Sequence, residues 1–304
     1  VVLGVPSDDF EHALSALKRD RGVKADTDLT AEDLRELVGI FKGIVAESAG
    51  PDAFGDDPRE QLRERFRTAT AEELAALTPD DPAVLLMSGG TTGTPKGVLG
   101  RHAVFVLTGL QVESWISTIL DNGNSVLMLP LPMFHVYANV GVQGLAFVTG
   151  NPIALVPNPR DMKDLLRTVN KVKPTFFTGV PTLYVGLLNH PDVVAGKVDF
   201  KSIKVCISGA APLLLETKLR FESITGGRIV EGYSLTEAMM AVCLNPLDGE
   251  NKVGSVGMPL PDVAVRIYDA DEGTQEMPAG QVGEICFSGA QLMTGFWNRP
   301  EETS

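Results

Sequence analysis

From Ala83 onward the chain alternates short apolar runs with longer stretches of helical spacing, and this alternation constrains the fold more than any other feature. The runs Ala83–Met87, Ser125–Leu129, Pro152–Val156, Thr175–Thr178, Ile203–Ser208 and Arg228–Glu231 have the length of buried strands. Helical stretches fall between them, near His102–Leu120, Asp161–Val172, Pro181–Leu188 and Pro212–Ile224. Such alternation predicts an α/β fold with a mainly parallel sheet covered by helices, because parallel neighbours need a crossover and a helix supplies it. After about Gly257 the pattern changes. "AVRIYD" and "GEICFSG" read as strands separated by a turn-rich acidic loop without a helix, which predicts an antiparallel or barrel-like appendage. No internal repeat is evident.

Residues 1–81 differ in composition, being rich in Asp, Glu, Arg and Ala. In Thr30–Ser48 the residues Leu34, Leu37, Val38, Phe41, Ile44 and Val45 fall at helix spacing, and Thr30 with Asp33 resembles the start of a capping box. Thr70–Pro82 reads as a second helix ended by prolines. Neither stretch carries recognisable chemistry.

The chain has 304 residues and a formal net charge of −13, which disfavours nucleic acid as a partner. The one short basic stretch, Leu17–Lys24, sits among acids and reads as a solvated helix face. Cys206, Cys243 and Cys286 are far apart and lack metal-ligand spacing, so they read as packing thiols in a reducing compartment. The longest apolar region, Val140–Val156, is interrupted by Gln143, Gly150, Asn151 and Pro152 and cannot supply the ~20 apolar residues of a membrane helix.

Four stretches carry candidate chemistry. "SGGTTGTPKG" (Ser88–Gly97) follows the first apolar run. Gly89, Gly90 and Gly93 let backbone N–H groups approach a ligand, Ser88, Thr91, Thr92 and Thr94 add hydroxyls, and Lys96 adds a point charge suited to phosphate. It is not a Walker loop: Pro95 and Gly97 flank the lysine, so Lys96 belongs to a loop and not to a helix N-terminus. "ISGAAPL" places Gly209, Ala210, Ala211 and Pro212 between a strand and a helix, where a parallel sheet binds ligands. "EGYSLTEA" (Glu231–Ala238) follows the next strand. Tyr233 offers a ring for base stacking, Thr236 a hydroxyl, and Glu237 a carboxylate for a hard cation such as Mg²⁺. "LPMFHVYAN" holds His135 between Phe134 and Tyr137. Each stretch alone also fits a bland role: a surface loop, a tight connection, a helix start, a core histidine.

Together the four stretches resemble the adenylate-forming superfamily of acyl-CoA synthetases, amino-acid adenylation domains and luciferases. The loop is similar to that family's Thr/Ser/Gly-rich phosphate loop, and "GYSLTE" to its Gly-Tyr-x-x-Thr-Glu motif. "GEICFSGAQLMTGFWNRPEET" (Gly283–Thr303) is similar to its Gly-Glu…Gly-Tyr-Trp segment, with Phe296 in place of the common tyrosine. The likeness runs from about Asp81 to the end. Asn158–Pro191, with Asn245–Pro261, most resembles the long-chain fatty acyl-CoA synthetases of bacteria. Amino-acid-activating relatives place an aspartate beside the histidine position. "MFHVYAN" has no carboxylate, and an unpaired buried ammonium would cost several kcal/mol, so an uncharged acyl group fits better.

The resemblance implies a layered αβαβα N-terminal domain and a fatty acid–CoA ligase. ATP would adenylate a fatty carboxylate, releasing pyrophosphate, and CoA would then displace AMP. By motif match, the Ser88–Gly97 loop would hold the β- and γ-phosphates through Thr91, Thr92 and Lys96. Thr236 would touch the α-phosphate, and Glu237 would bind Mg²⁺. Tyr233 would stack on adenine beside Gly209–Pro212, with Glu231, Gly232 and Ser234 in the same site, and His135 would border the substrate carboxylate. Gly89 replaces the family's usual serine, removing one hydroxyl. The expected organisation is a helical segment 1–81, an α/β nucleotide- and acyl-binding core 82–256, and the start of a β-rich subdomain 257–304. The ribose-binding aspartate, hinge and C-terminal domain with the catalytic lysine are expected beyond Ser304, so this chain would bind ATP weakly and adenylate poorly. The expected location is the cytoplasm, with peripheral contact to the inner face of the membrane left open. Aryl-CoA ligase or luciferase-like chemistry, or a non-catalytic nucleotide- or acyl-binding module, are the alternatives.

Overall fold

The central strands are buried on both faces, alternate side chains feeding two separate cores, and the architecture follows from that sorting. In the computed structural model, residues 70, 76–88 and 96–303 are described, and the helices expected at Thr30–Ser48 and in the first part of Thr70–Pro82 lie outside them. Ala76–Asp81 is turn and extended chain, so the expected helix does not reach Pro82. The chain divides into two compact units, Val1–Thr78 and Pro79–Ser304.

The central sheet has seven strands. In chain order they are β3 (Leu127–Leu129), β4 (Ile153–Leu155), β5 (Phe176–Gly179), β6 (Val205–Ser208), β7 (Arg228–Leu235), β8 (Met240–Leu244) and β9 (Met258–Pro259), arranged β4-β3-β5-β6-β7-β8-β9. The contacts from β4 through β7 are parallel; those of β8 and β9 are antiparallel. Leu127, Leu129, Phe176, Val205, Ile207 and Val230 feed one core, and Met128, Phe177, Cys206 and Ile229 the other, as the two-residue strand period requires. The result is the expected mixed α/β fold with a mainly parallel central sheet.

One face is covered by α1 (Ala103–Ile116), a π-helical turn (Tyr137–Val142) and α2 (Gln143–Thr149). The stretch Val140–Val156, too broken for a membrane helix, thus divides between this layer and β4. Among the described residues no helix is long and apolar enough to cross a membrane. A Cβ on Gly109 would come within 2.4 Å of the Gly144 carbonyl oxygen, and one on Gly144 within 2.4 Å of the Phe105 oxygen. These two glycines therefore let the α1 and α2 backbones touch.

The other face carries α3 (Met162–Val172), α4 (Pro181–Leu188), the short α5 (Pro191–Val194) and α6 (Leu215–Thr225). Asp161 caps α3 by accepting the Asp164 N–H, and Pro181 supplies the preset φ of a first helical residue. Helix α6 begins at Leu215, three residues after the expected Pro212, so Ala210–Pro212 remains an open turn.

Two departures bear on function. The run Ala83–Met87 is not a strand of the parallel sheet. It forms β1 (Pro82–Met87), which pairs antiparallel with β2 (Gly97–Arg101), and β2 in turn pairs with β12 (Gly295–Phe296). A buried apolar run has the same composition in either setting, so composition could not choose. Strand β7 also runs four residues past Glu231. It pairs with parallel β6 as far as Glu231 and with antiparallel β8 from Gly232.

The two later strands are as expected: β10 (Ala264–Tyr268) and β11 (Glu284–Ser288) pair antiparallel. Between them the Asp269 carboxylate accepts the N–H groups of Gln275 (2.7 Å), Glu272 (2.7 Å), Gly273 (3.1 Å) and Thr274 (2.9 Å). These donors stabilise its charged form and lower its pKa to about 2. A depressed carboxyl pKa contributes stability above the unfolded value, near 3.9, and that contribution is lost as pH falls through the folded value. A carboxyl titration by NMR is therefore expected to place the Asp269 midpoint near 2, with the stability it lends the 269–275 turn falling away as pH drops from about 4 through that value. A midpoint near 4 would show that the turn is not held this way.

Candidate functional site

The site is best built from the end of β6. Its chain leaves the sheet at Ser208 and Gly209, and Ala210 takes a φ of 69°. A left-handed alanine costs free energy on the order of 1–3 kcal/mol and persists only where surrounding contacts impose it. Here Leu213 donates its N–H to Glu231 Oε1 at 2.9 Å, clamping the far end of the turn to β7. Glu231 is buried, and its Oε2 has no hydrogen-bond partner. Ser208, its register partner on β6, also has a buried and unpaired hydroxyl. Two polar groups thus lie without protein partners side by side at the C-terminal end of the parallel strands, where ligands of such sheets bind.

Beyond the partner switch, Gly232–Leu235 lies within β7 and does not follow the strand as expected. Tyr233 is half-buried opposite Cys243, with a bulge between it and Ser234. Thr236 and Glu237 are not a helix start. They form the connection from β7 to β8, where Ala238 and Met239 donate their N–H groups to the Leu235 and Thr236 carbonyls. Met239 (φ 52°) and Met240 (φ 113°) occupy conformations that bulky residues seldom adopt. The turn is pinned on both sides: Met293 donates to the Glu237 carbonyl at 3.0 Å, and the Thr108 hydroxyl donates to the Met239 carbonyl at 3.2 Å. The half-exposed side chains of Thr236 and Glu237 form no hydrogen bond or ion pair with a described residue.

Of the Ser88–Gly97 loop, Gly89, Gly90, Thr91, Thr92, Gly93, Thr94 and Pro95 lie outside the described residues. Its base is closed: Ser88 donates its N–H to the Lys96 carbonyl at 2.8 Å, and the Lys96 N–H reaches Ser88 Oγ at 3.3 Å. The loop therefore spans the β1–β2 hairpin and does not lead into a crossover helix. The Lys96 ammonium pairs with Glu302 at 2.6 Å and sits 4.7 Å from the centre of the Phe296 ring.

The hairpin and the β7–β8 turn are physically joined. A Cβ on Gly100 of β2 would stand 2.7 Å from the Met239 sulfur and 2.8 Å from Val84 Cγ1, so the glycine lets both side chains pack against the strand. Residues 293–297 bridge the same two elements, with Met293 bonded to Glu237, Thr294 to Leu99 and Trp297 to Gly97. Between Lys96 and Gly100 the strand covers about 13 Å at roughly 3.3 Å per residue.

A narrow apolar cavity of about 20 Å³ opens beside these turns. Gly209, Gly232 and Ser234 form its polar-turn side, and Val112, Tyr137, Ile207, Met240 and Leu244 its walls. Among the described residues that line it there is no carboxylate or amine. The Tyr137 hydroxyl donates to the Ile207 carbonyl at 2.8 Å, and Tyr184 donates to the same oxygen at 2.9 Å from the opposite face. Burial raises the pKa of both phenols well above the ordinary value, so both stay protonated donors. Lys96, Thr236, Glu237 and His135 do not line this cavity.

His135 is not a core residue. It is exposed, at the entrance to the π-helical turn, where Nδ1 accepts the Tyr137 N–H at 3.2 Å. Partial burial lowers its pKa, so the neutral ring, with its proton on Nε2, predominates at neutral pH. The cysteines read as packing residues are so placed: Cys206 and Cys243 are buried with raised pKa values, and Cys286 is half-buried.

Sequence reasoning missed Val112, Met240 and Leu244 as cavity walls and Phe296, Arg299 and Glu302 as neighbours of the loop lysine. Val112, Phe296, Arg299 and Glu302 reach their places from distant parts of the chain, and Met240 and Leu244 come from β8, just past the Glu231–Ala238 stretch. Only the close approach of Met239 to Gly100 left a local trace, a glycine inside an otherwise apolar strand.

Residues 11–297 match the family described as AMP-binding enzyme. The chain is 40% identical over 236 residues to the long-chain-fatty-acid–CoA ligase of Bacillus subtilis (strain 168), covering 76% of this chain and 41% of that protein. Among solved structures, ATP-bound MatB from Rhodopseudomonas palustris superposes with a TM-score of 0.64 at 29% identity, covering 79% of this chain and 46% of the other. A benzoate CoA ligase from Burkholderia xenovorans LB400 gives a TM-score of 0.68 at 25% identity, covering 89% and 52%. The chain thus spans less than half the length of the curated relative. With a family match over nearly all of its length, the chain belongs to the AMP-binding enzyme family.

Proposed function

We propose that this chain forms the nucleotide- and acyl-binding part of a fatty acid–CoA ligase. The observation that carries the reading is the cavity between Gly209, Gly232 and Ser234 on one side and Val112, Tyr137, Met240 and Leu244 on the other. Its described lining is apolar and uncharged, and it adjoins Gly209 at the C-terminal end of the parallel strands, which suits an uncharged acyl group over an amino acid. The likeness to long-chain-fatty-acid–CoA ligases supports an alkyl substrate over an aryl one.

In this reading the 209–213 turn and Tyr233 hold the adenine, and Thr236 donates to the α-phosphate. Lys96 approaches the β- and γ-phosphates. The fatty carboxylate attacks the α-phosphorus near His135, pyrophosphate leaves, and the CoA thiol then displaces AMP from the mixed anhydride. Positioning and charge neutralisation supply most of such catalysis. Mg²⁺ commonly takes one or two carboxylates together with substrate phosphates. Glu237, whose carboxylate has no partner among the described residues, is the residue that fits it, and bound Mg²⁺ would neutralise phosphate charge. At about 20 Å³ the slot has room for little more than a water molecule, so an acyl chain must displace Met240 or Tyr137. Methionine, with its flexible unbranched side chain, is the easier to move.

Equilibrium binding of non-hydrolysable acyl-adenylate mimics tests the reading. A palmitoyl mimic is expected to bind at least about tenfold tighter than a leucyl mimic, whose ammonium would be buried unpaired. Equal affinity, or preference for the leucyl form, would refute an apolar acyl site, and preference for a coumaroyl mimic would favour the aryl-CoA alternative. Lys96→Ala is expected to weaken ATP binding by about tenfold, the range of one lost charge-assisted contact, with little effect on AMP.

A further inference from the structure

The loop lysine is already occupied. Glu302 Oε2 lies 2.6 Å from Lys96 Nζ, and Glu302 Oε1 takes a second bond of 2.6 Å from Arg299 Nη1. The Phe296 ring stacks under the ammonium at 4.7 Å. The segment that bears Glu302 is firmly placed. Gly295 and Phe296 pair with Leu99 and Val98, and Trp297 bonds to Gly97, the residue after the lysine. A 3₁₀ turn over Pro300–Glu302 follows, braced by the Thr303 hydroxyl, which accepts the Phe296 N–H and donates to the Arg299 carbonyl. Lys96 and Arg299 both lower the Glu302 pKa, so the carboxylate stays charged through the neutral range and well below it.

We propose that Glu302 is a positioning residue for the phosphate loop: it holds the Lys96 ammonium against Phe296, and the terminal phosphates of a nucleotide must displace it. This rests on the assignment of Lys96 to the β- and γ-phosphates. A polyphosphate and a carboxylate cannot share one ammonium without strong like-charge repulsion, and Arg299 keeps Glu302 within reach to recapture the lysine. The exchange weakens the grip on ATP and on product pyrophosphate by the same factor, because both present the same phosphoryl groups. AMP lacks them and is indifferent to the exchange.

The test measures binding of ATP, inorganic pyrophosphate and AMP by titration calorimetry to the chain and to Glu302→Gln, Lys96→Ala and the double variant. An exposed ion pair is a modest competitor, so Glu302→Gln is expected to tighten ATP and pyrophosphate about two- to fivefold. AMP affinity should not change, and the gain should vanish in the Lys96→Ala background. Unchanged or weaker ATP binding in Glu302→Gln, while Lys96→Ala still weakens ATP, would overturn the proposal and leave the ligase reading standing. An equal gain for AMP would also overturn it, since a general charge effect would then suffice. Should Lys96→Ala leave ATP affinity untouched, the phosphate role of the loop itself would fail, and the proposal with it.

Discussion

Glu237→Gln is expected to lower fatty-acid-dependent ATP–pyrophosphate exchange by about 100-fold or more, in the range seen when one preorganised electrostatic group is removed from a reacting centre. The substitution preserves shape and removes only charge, so the effect isolates the carboxylate. Glu237 is suited to the role by what it does not do: it is half-exposed and its side chain has no partner among the described residues. Its backbone, by contrast, is fixed by Met293, and the neighbouring Met239 carbonyl by Thr108. A bonded turn holding a carboxylate with no described partner contributes little packing, so the variant should fold normally, and its unfolding free energy should change by less than about 0.5 kcal/mol. A binding measurement separates the metal role from any other. In the unsubstituted chain Mg²⁺ should strengthen ATP affinity; in Glu237→Gln that enhancement should shrink, while AMP binds as before. Full exchange activity, or an unchanged response to Mg²⁺, would remove Glu237 from the site.

The sequence made the sheet legible where each strand had its own helix. Helix α4 matches its expected bounds, Pro181–Leu188, because Pro181 opens it and the His190–Pro191 pair prevents its continuation. It was less legible where long-range pairing decides. Strand β2, "GVLGR", was not read as a strand because Gly97, Gly100 and Arg101 dilute its apolar pattern. Yet Gly100 is small for a reason visible only in space, the sulfur of Met239 at 2.7 Å from where a Cβ would stand. The same limit hid the second half of β7. Gly232 and Ser234 lower its strand propensity, and the antiparallel partner that compensates, β8, arrives only after the Thr236–Met239 turn. For the site, the motif residues on the two strand ends, Gly209 and Glu231–Ser234, are neighbours as their spacing implied. Lys96 and Glu237 are joined to that region through backbone contacts of residues 293–297, which no local pattern could announce. The ion pair of Lys96 with Glu302 crosses about two hundred residues of chain and was likewise unreadable.

Phe221→Ala is expected to cost about 3–5 kcal/mol of stability, the largest effect of any single substitution considered for this fold. Phe221 has no exposed surface and is the hub of an aromatic cluster in the core beneath α6. Its ring lies 5.0 Å from Tyr184 in an edge arrangement, 5.8 Å from Phe200 and 6.2 Å from Phe177. Truncation would leave a cavity that neighbours on a sheet and two helices cannot fill together, and the penalty grows with the void that remains. Urea denaturation followed by aromatic circular dichroism would show a lower midpoint with an unchanged slope. Phe221→Leu retains most of the volume and should lose less than about half as much. The consequence extends to nucleotide binding, because α6 is fastened to β7 by polar contacts that depend on its packing. Lys218 donates to the Ile229 carbonyl and to Glu222, and Glu222 in turn accepts the Ile229 N–H. Loosening α6 would slacken the turn before it, where Leu213 is clamped to Glu231. ATP affinity should therefore fall in Phe221→Ala even under conditions where the protein remains folded, although Phe221 lines no part of the cavity. A loss below about 1 kcal/mol would mean that the cluster collapses around the gap, and that α6 is held to the sheet by its polar contacts alone.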